Sequence, residues 1–326
     1  MKKILSKFSR ELGVFIALFL IMGLFGILNP LYLTPRNIID IVDQTVINGL
    51  LALGMTMVII TGGIELSIGS TMAVVMVVTG KILGSGLNIY LASLIGIAIG
   101  AILGYINGVL VAKMKLQPFI ATMGTSSVYR GLAYLITGGW PVLNIPQNFR
   151  NLFDGKIIGS ISISVFIFIG TLIVMYIILT KTKLGTYIYA TGNNEEATKL
   201  SGVNVDKTKI KAYVICGICV SLTAMVMLAK LGTGEPAAGQ GYESNAIAAS
   251  AVGGTSLAGG VGSILGAFLG SILLQALKVG LIVLGVDTFW QYIATGSIII
   301  AAVYFDIIKK KINIRDLFRK KDKLNE

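Results

Sequence analysis

The chain has 326 residues, 55% of them hydrophobic and only 13% charged, with 27 Lys and Arg against 15 Asp and Glu. A soluble domain carries about a quarter charged residues, so this chain cannot cover its surface in water, and a mean hydropathy of +0.84 makes the bilayer the expected solvent. The absence of His excludes His-based acid–base catalysis and most zinc and haem ligation, and two Cys exclude a disulfide-rich secreted scaffold.

A bilayer span needs about 20 mostly apolar residues. Charge-free runs predict helices, in chain order, over roughly 12–29, 46–62, 64–83, 88–112, 118–137, 160–180, 210–230, 244–258, 263–284 and 289–306. The fold class expected is all-α: a polytopic membrane protein of about ten transmembrane helices, one transmembrane domain over 1–326. The first run follows a basic start but is too long for a signal peptide, and Asn29-Pro30-Leu31 is no small-residue cleavage site. It reads as a retained helix. The fourth helix carries Gly96, Gly100, Gly104 and Gly108, and the ninth Gly262, Gly266 and Gly270. Four-residue spacing puts each set on one helix face, where small residues let backbones approach. The charge-free run 244–277 exceeds one span and must reverse near 253–262, where Gly clusters.

With the amino terminus in the cytoplasm, ten spans leave 1–11, 113–117, 181–211 and a charged tail at about 307–326 inside. These segments hold 20 of the 27 Lys and Arg. Cytoplasmic loops carry the excess of positive charge, so both termini are expected inside. The basic balance then belongs to membrane edges, and no nucleic-acid partner is implied.

Few motifs carry chemistry. Cys216-Gly217-Ile218-Cys219 sits in an apolar span without further ligands and reads as packing. The turn Gly260-Val261-Gly262 lacks the spacing and preceding strand of a dinucleotide site, and no phosphate-binding P-loop occurs. No catalytic residue, metal ligand or cofactor is expected. Lys81, Lys230 and Lys278 lie near span ends, where a long side chain reaches the interface. Arg130 falls within a span and favours a structural interhelical pair over a pathway role; Glu65 sits at a helix break as a cap or part of a gate. So few buried carboxylates offer little to an ion-driven carrier.

The cytoplasmic loop at about 190–204 predicts a helix of two turns, with Asn193 as N-cap, Glu196 completing a capping box and Gly202 at C′. A helix that short has no core to bury in, so docking to a partner is expected. The breaks Gly62-Gly63-Ile64-Glu65-Leu66 before Gly69-Ser70 and Gly253-Gly254-Thr255-Ser256-Leu257 before Gly262-Ser263 are weakly alike.

Several of these segments also resemble a known family. They are Ala52-Leu53-Gly54-Met55-Thr56, the run 60–70, the run 117–125, Tyr129-Arg130-Gly131-Leu132 and Thr137-Gly138-Gly139. The runs 192–203, 241–243, 246–249 and 253–260, and Phe289-Trp290-Gln291-Tyr292, continue it. Together they resemble permeases of bacterial ATP-binding-cassette importers for ribose, galactosides and related sugars, over roughly 45–306. Two departures stand out. The family often has Asp where Glu65 stands, and often Lys after the Trp/Tyr-Gln segment, where this chain has Ala294-Thr295.

The resemblance implies a plasma-membrane transport subunit with an ATP-binding subunit, an extracytoplasmic sugar-binding protein and a second permease copy as partners. It makes the loop helix the coupling helix, with Asn194, Glu195, Glu196, Ala197, Leu200 and Gly202 as contacts. A monosaccharide, ribose first, is the expected substrate. Galactoside, xylose, arabinose or a sugar-like signalling molecule are alternatives within the family, and an autonomous carrier lies outside it. A neutral sugar needs polar, mostly uncharged walls. The candidates are Thr61, Glu65, Ser67, Ser70, Asn107, Thr122, Thr125, Ser126 and Asn245, each equally suited to an interhelical hydrogen bond.

Overall fold

The computed structural model describes residues 9–311. Lys2, Lys3 and Lys7 and the tail beyond Lys311 lie outside the described residues. Within them the chain is helical apart from one small hairpin. The elements are α1 (Ser9–Leu28), a 3₁₀ turn (Pro30–Leu33), α2 (Pro35–Ile60), α3 (Ile68–Gly84), α4 (Ile89–Ala112) and α5 (Pro118–Thr137). Then come α6 (Gln147–Asp154), β1 (Lys156–Ile158), β2 (Ile161–Ser162), α7 (Ile163–Lys181), α8 (Lys183–Asn193) and α9 (Glu195–Leu200). The chain continues through α10 (Val205–Leu231), α11 (Tyr242–Val252), α12 (Ile264–Val283) and α13 (Thr288–Lys311).

Among the described residues, six helices, α1, α2, α4, α7, α10 and α12, are long and apolar enough to cross a bilayer, and α3 is a shorter apolar helix. Two boundaries differ from expectation for physical reasons. Helix α2 starts at Pro35, which supplies the fixed φ favoured at a first helical position. Its first turns carry Arg36, Asp40 and Asp43, which ended the charge-free run. Asp43 is accommodated by an ion pair to Lys230 of α10 and a hydrogen bond from Ser162. Helix α11 has only 11 residues, about 16 Å at 1.5 Å per residue. That is half the hydrocarbon thickness of about 30 Å, so the predicted span at 244–258 is a half-membrane helix followed by an irregular turn.

Helix α10 is the central post, packed most extensively on α4 and then on α2. The glycines of α4 make this approach possible. A Cβ on Gly100 would lie 1.8 Å from Ser221 Oγ, and one on Gly104 would lie 2.4 Å from the Tyr213 carbonyl oxygen. A Cβ on Gly96 would meet Met225, and one on Gly108 would meet Ile210. Cys216 and Cys219 are buried thiols facing Gly54 of α2. On the other side, Gly266 and Gly270 seat α12 against the carbonyls of Gly253 and Ala249 at the end of α11. Gly262 precedes α12, so it is not a rung on that helix and packs instead against Ile60.

Candidate functional site

Three polar regions stand out in this apolar bundle. The first is the break between α2 and α3. Gly62, at φ +79°, turns the chain out of α2, and residues 61–67 run irregularly to Ile68. Glu65 is only 3% exposed. Its Oε1 accepts from the Ser67 amide at 2.9 Å and hydroxyl at 2.7 Å, and its Oε2 accepts from Asn107 Nδ2 at 2.7 Å. The Tyr129 hydroxyl donates to Asn107 Oδ1 at 3.3 Å, and the Tyr213 hydroxyl donates to the Ile64 carbonyl at 3.0 Å. Ser70 donates to the Ser67 carbonyl at 2.9 Å and contacts Ser126 at 3.4 Å. Thr122 reaches the Ile64 carbonyl at 3.4 Å, Thr125 bonds back to Thr122, and Thr61 bonds back to Val58. All the polar candidates except Asn245 therefore gather at this break. Glu65, Ser67, Ser70, Asn107 and Thr122 are buried and bonded at the break, Ser126 is half-buried, and Thr61 and Thr125 bond back to their own helices, so the set braces the break rather than offering free groups to a passing molecule.

The second region is a cavity of about 380 Å³ between α2, α11, α12 and α13. Five carboxamides line it: Asn48, Gln240, Asn245, Gln275 and Gln291. Ser244, Ser271, Thr295, Tyr242 and Tyr292 add hydroxyls, and Lys278 is its one charged residue. Gln275 donates to Gln44 at 2.7 Å. Asn48 Oδ1 is buried and accepts no hydrogen bond among the described residues. Of the sequence candidates only Asn245 is here. The missed residues leave a faint signal. Ser271, Gln275 and Lys278 recur at four and three residues, as do Gln291 and Thr295 at four, so each set shares a helix face.

The chain enters this cavity through residues 232–241, held in place from outside the cavity. Arg130 Nη1 donates to the carbonyls of Pro236 and Ala238, both at 2.7 Å. Arg130 thus clamps backbone carbonyls of a loop. A backbone bridge joins Gly234 to Val142, and Gly239 lies against Gly69 so closely that a Cβ on Gly69 would fall 2.0 Å from its carbonyl oxygen.

The third region is the α8–α9 elbow. The N-cap of α9 is Asn194, which accepts from the Ala197 amide at 2.9 Å, not the expected Asn193. The capping box with Glu196 is therefore absent, because Asn193 closes α8 instead and donates to the carbonyls of Tyr189 and Gly260. Gly202 takes φ +80° at C′, and the amides of Gly202 and Val203 return to the carbonyls of Lys199 and Thr198. That double bond pattern ends the helix and needs glycine. Glu195 pairs with Lys199 and Lys209, and their hydrogen bonds pull its carboxyl down to about 2. Glu196 and Ala197 are exposed, and Leu200 is 89% exposed.

Residues 37–303 match the family described as branched-chain amino acid transport system / permease component. The chain is 39% identical over 298 residues to the ribose import permease protein RbsC of Bacillus subtilis, covering 91% of this chain and 92% of that one. It is 40% identical over 294 residues to RbsC of Escherichia coli K12, covering 89% and 92%. The chain is a sugar ABC importer permease of the ribose/galactoside family. The D-allose transport system permease protein AlsC of Escherichia coli is also similar, 36% identical over 306 residues and covering 93% and 94%. No solved structure matches. The permease is a multi-pass inner-membrane protein, and permeases of ABC importers are transport subunits that work with a separate ATP-binding subunit and an extracytoplasmic binding protein. In the permease, the carboxamide-lined cavity sets polar side chains around open space, while Glu65, Ser67 and Asn107 at the α2–α3 break bond one another.

Proposed function

We propose that the permease imports a monosaccharide, ribose first, handed over by an extracytoplasmic binding protein and driven by ATP hydrolysed on a separate subunit. The observation that carries the sugar is the 39–40% identity to two ribose import permeases over about nine-tenths of each chain. Identity is lower to the D-allose permease, 36%, and to a galactose/methyl galactoside import permease, 34%. The cavity suits this substrate. Its volume falls within the range of about 300–1,000 Å³ for small-molecule sites, and carboxamides and hydroxyls both donate to and accept from sugar hydroxyls. The proposed sugar contacts are Asn48, Asn245, Gln275 and Gln291, with Lys278 at the wall.

In this reading α9 is the coupling helix. Glu196, Ala197 and Leu200 face the ATP-binding subunit, while Glu195, tied to Lys199 and Lys209, holds α9 to α10. Leu200, 89% exposed on this loop helix, is apolar surface that a docked partner removes from water. One transmembrane domain spans the chain, a second copy completes the pathway, and both termini face the cytoplasm. A carboxyl-terminal tag is then reached only from the cytoplasm; labelling from outside overturns that topology.

The deciding experiment is labelled ribose uptake in cells with and without the gene, under ATP depletion and separately with an uncoupler. Gene-dependent uptake that needs ATP and survives the uncoupler is expected. Uptake that collapses with the uncoupler while ATP stays high refutes the ATP-driven reading, and unchanged ribose uptake removes ribose.

A further inference from the structure

The α8–α9 elbow touches both breaks in the bundle. At its centre the Gly260 amide donates to the Ile60 carbonyl at 2.8 Å, joining the end of α2 to the turn before α12. Gly192 is pressed into this junction. A Cβ there would fall 1.8 Å from the Ile60 oxygen and 2.4 Å from the Gly260 nitrogen, so no side chain fits. Two side chains of α8 then grip the turn itself. Asn193 Nδ2 donates to the Gly260 carbonyl at 3.1 Å, and the Tyr189 hydroxyl donates to the Gly262 carbonyl at 2.7 Å.

The two breaks are anchored differently. Residues 61–67 are tied by Glu65 and Ile64 to Asn107 of α4 and Tyr213 of α10, independently of α8. The turn at 253–263 has no comparable carboxylate. It is folded on its own backbone, with Ser256 bonded to Val261 and with Gly259 and Gly260 at positive φ. Thr255 Oγ1 is buried there without a hydrogen-bond partner among the described residues. The present arrangement of the turn therefore carries the cost of one unsatisfied buried hydroxyl. The helices on either side of the turn, α11 and α12, carry Asn245, Ser271, Gln275 and Lys278 of the cavity.

We propose that Tyr189 and Asn193 are positioning residues that carry displacement of the coupling helix to the 253–263 turn, and through it to the cavity walls on α11 and α12. Residues 61–67 serve as the fixed frame against which the turn moves. The inference rests on the proposed docking of the ATP-binding subunit at α9.

The test uses the complete transporter in proteoliposomes, with its ATP-binding subunit and binding protein, and ribose as the transported probe. Tyr189→Phe removes one hydroxyl, and Asn193→Ala removes the donor to Gly260. Three quantities are read: affinity for the ATP-binding subunit, ATP hydrolysis, and ribose delivered per ATP. Affinity and hydrolysis are expected to hold while ribose per ATP falls about fivefold or more in the double variant, and by less in Tyr189→Phe alone. A ratio unchanged in both variants overturns the proposal. So does a parallel fall of hydrolysis and transport, which marks a purely structural role. If the unsubstituted permease fails to bind the ATP-binding subunit, or if Leu200→Ala leaves that binding intact, the docking reading fails and the proposal with it. Binding that depends on Leu200, with an unchanged ratio in the clasp variants, removes the proposal alone.

Discussion

The two breaks begin from similar residues and end in different physics. At the first, Gly62-Gly63 turns the chain and Glu65 then stitches it by three hydrogen bonds to Ser67 and Asn107. At the second, Gly253-Gly254 turns the chain and the packing is backbone on backbone. Gly266 and Gly270 meet the carbonyls of Gly253 and Ala249 with no room for a Cβ. A buried carboxylate with all its partners in place resists displacement, because any movement leaves polar groups unpaired in a low-dielectric interior. Close apolar and backbone contacts set a distance but few directions, so small sliding costs less. The same glycine-led turn therefore makes a rigid frame in one place and a movable joint beside the cavity in the other.

The largest effect expected is at the joint's packing surface. Gly270→Leu places a side chain against the Ala249 carbonyl, where backbone and not a flexible side chain must give way. A loss of about 3 kcal/mol or more is expected, read as absence of folded permease from the membrane. Gly124→Ala, at a position with nothing within 4 Å of the added carbon, is the matched control and leaves the level unchanged.

Next in size is the frame. Glu65→Ala leaves the Ser67 amide without its acceptor and takes one partner each from Asn107 Nδ2 and Ser67 Oγ, at about 1–3 kcal/mol for an unsatisfied buried group. A thermal melt in detergent should show a lower midpoint, with Glu65→Asp, which keeps the charge on a shorter side chain, closer to the parent. The comparison sharpens with Thr255→Val at the other break. That change removes a buried hydroxyl that has no partner among the described residues, so the melt should hold or rise.

Arg130→Ala frees the carbonyls of Pro236 and Ala238 from their clamp. Ribose uptake is expected to fall severalfold while the melt moves little, since the loop is also held by the Gly234–Val142 bridge. The smallest effect is at α9. Glu195 titrates at about 2 because Lys199 and Lys209 favour its charged form. Its contribution is fully present above the ordinary carboxylate value and fades as pH falls toward 2. Glu195→Gln should cost at most about 1 kcal/mol at neutral pH, as for exposed ion pairs, and should flatten the acid limb of an α9 stability curve.

Long apolar runs were legible because the bilayer demands them. Helix α7 at Ile163–Lys181 and α12 at Ile264–Val283 fall within a few residues of the predicted spans 160–180 and 263–284. The start of α2 was hidden because its first turns carry charges, among them Asp43, whose partners Lys230 and Ser162 lie far along the chain. Asn193 and Asn194 are equally good caps as letters. Only the contact to Gly260 decides that the first closes α8 and the second opens α9. The polar residues at the α2–α3 break were recognisable singly, but their saturation by one another was not. The cavity is not legible because spacing marks a polar face on α12 and on α13 separately, while nothing in the sequence brings those faces together with Asn48 and Asn245.

The account turns on which break moves. Hydrogen exchange of the assembled transporter, nucleotide-free and with a non-hydrolysable ATP analogue, reads the peptides covering 61–67 and 253–263 side by side. The expected result is protection of 61–67 that is the same in both states and exchange of 253–263 that changes with nucleotide. A nucleotide-dependent change at 61–67 equal to or larger than that at 253–263 would contradict it.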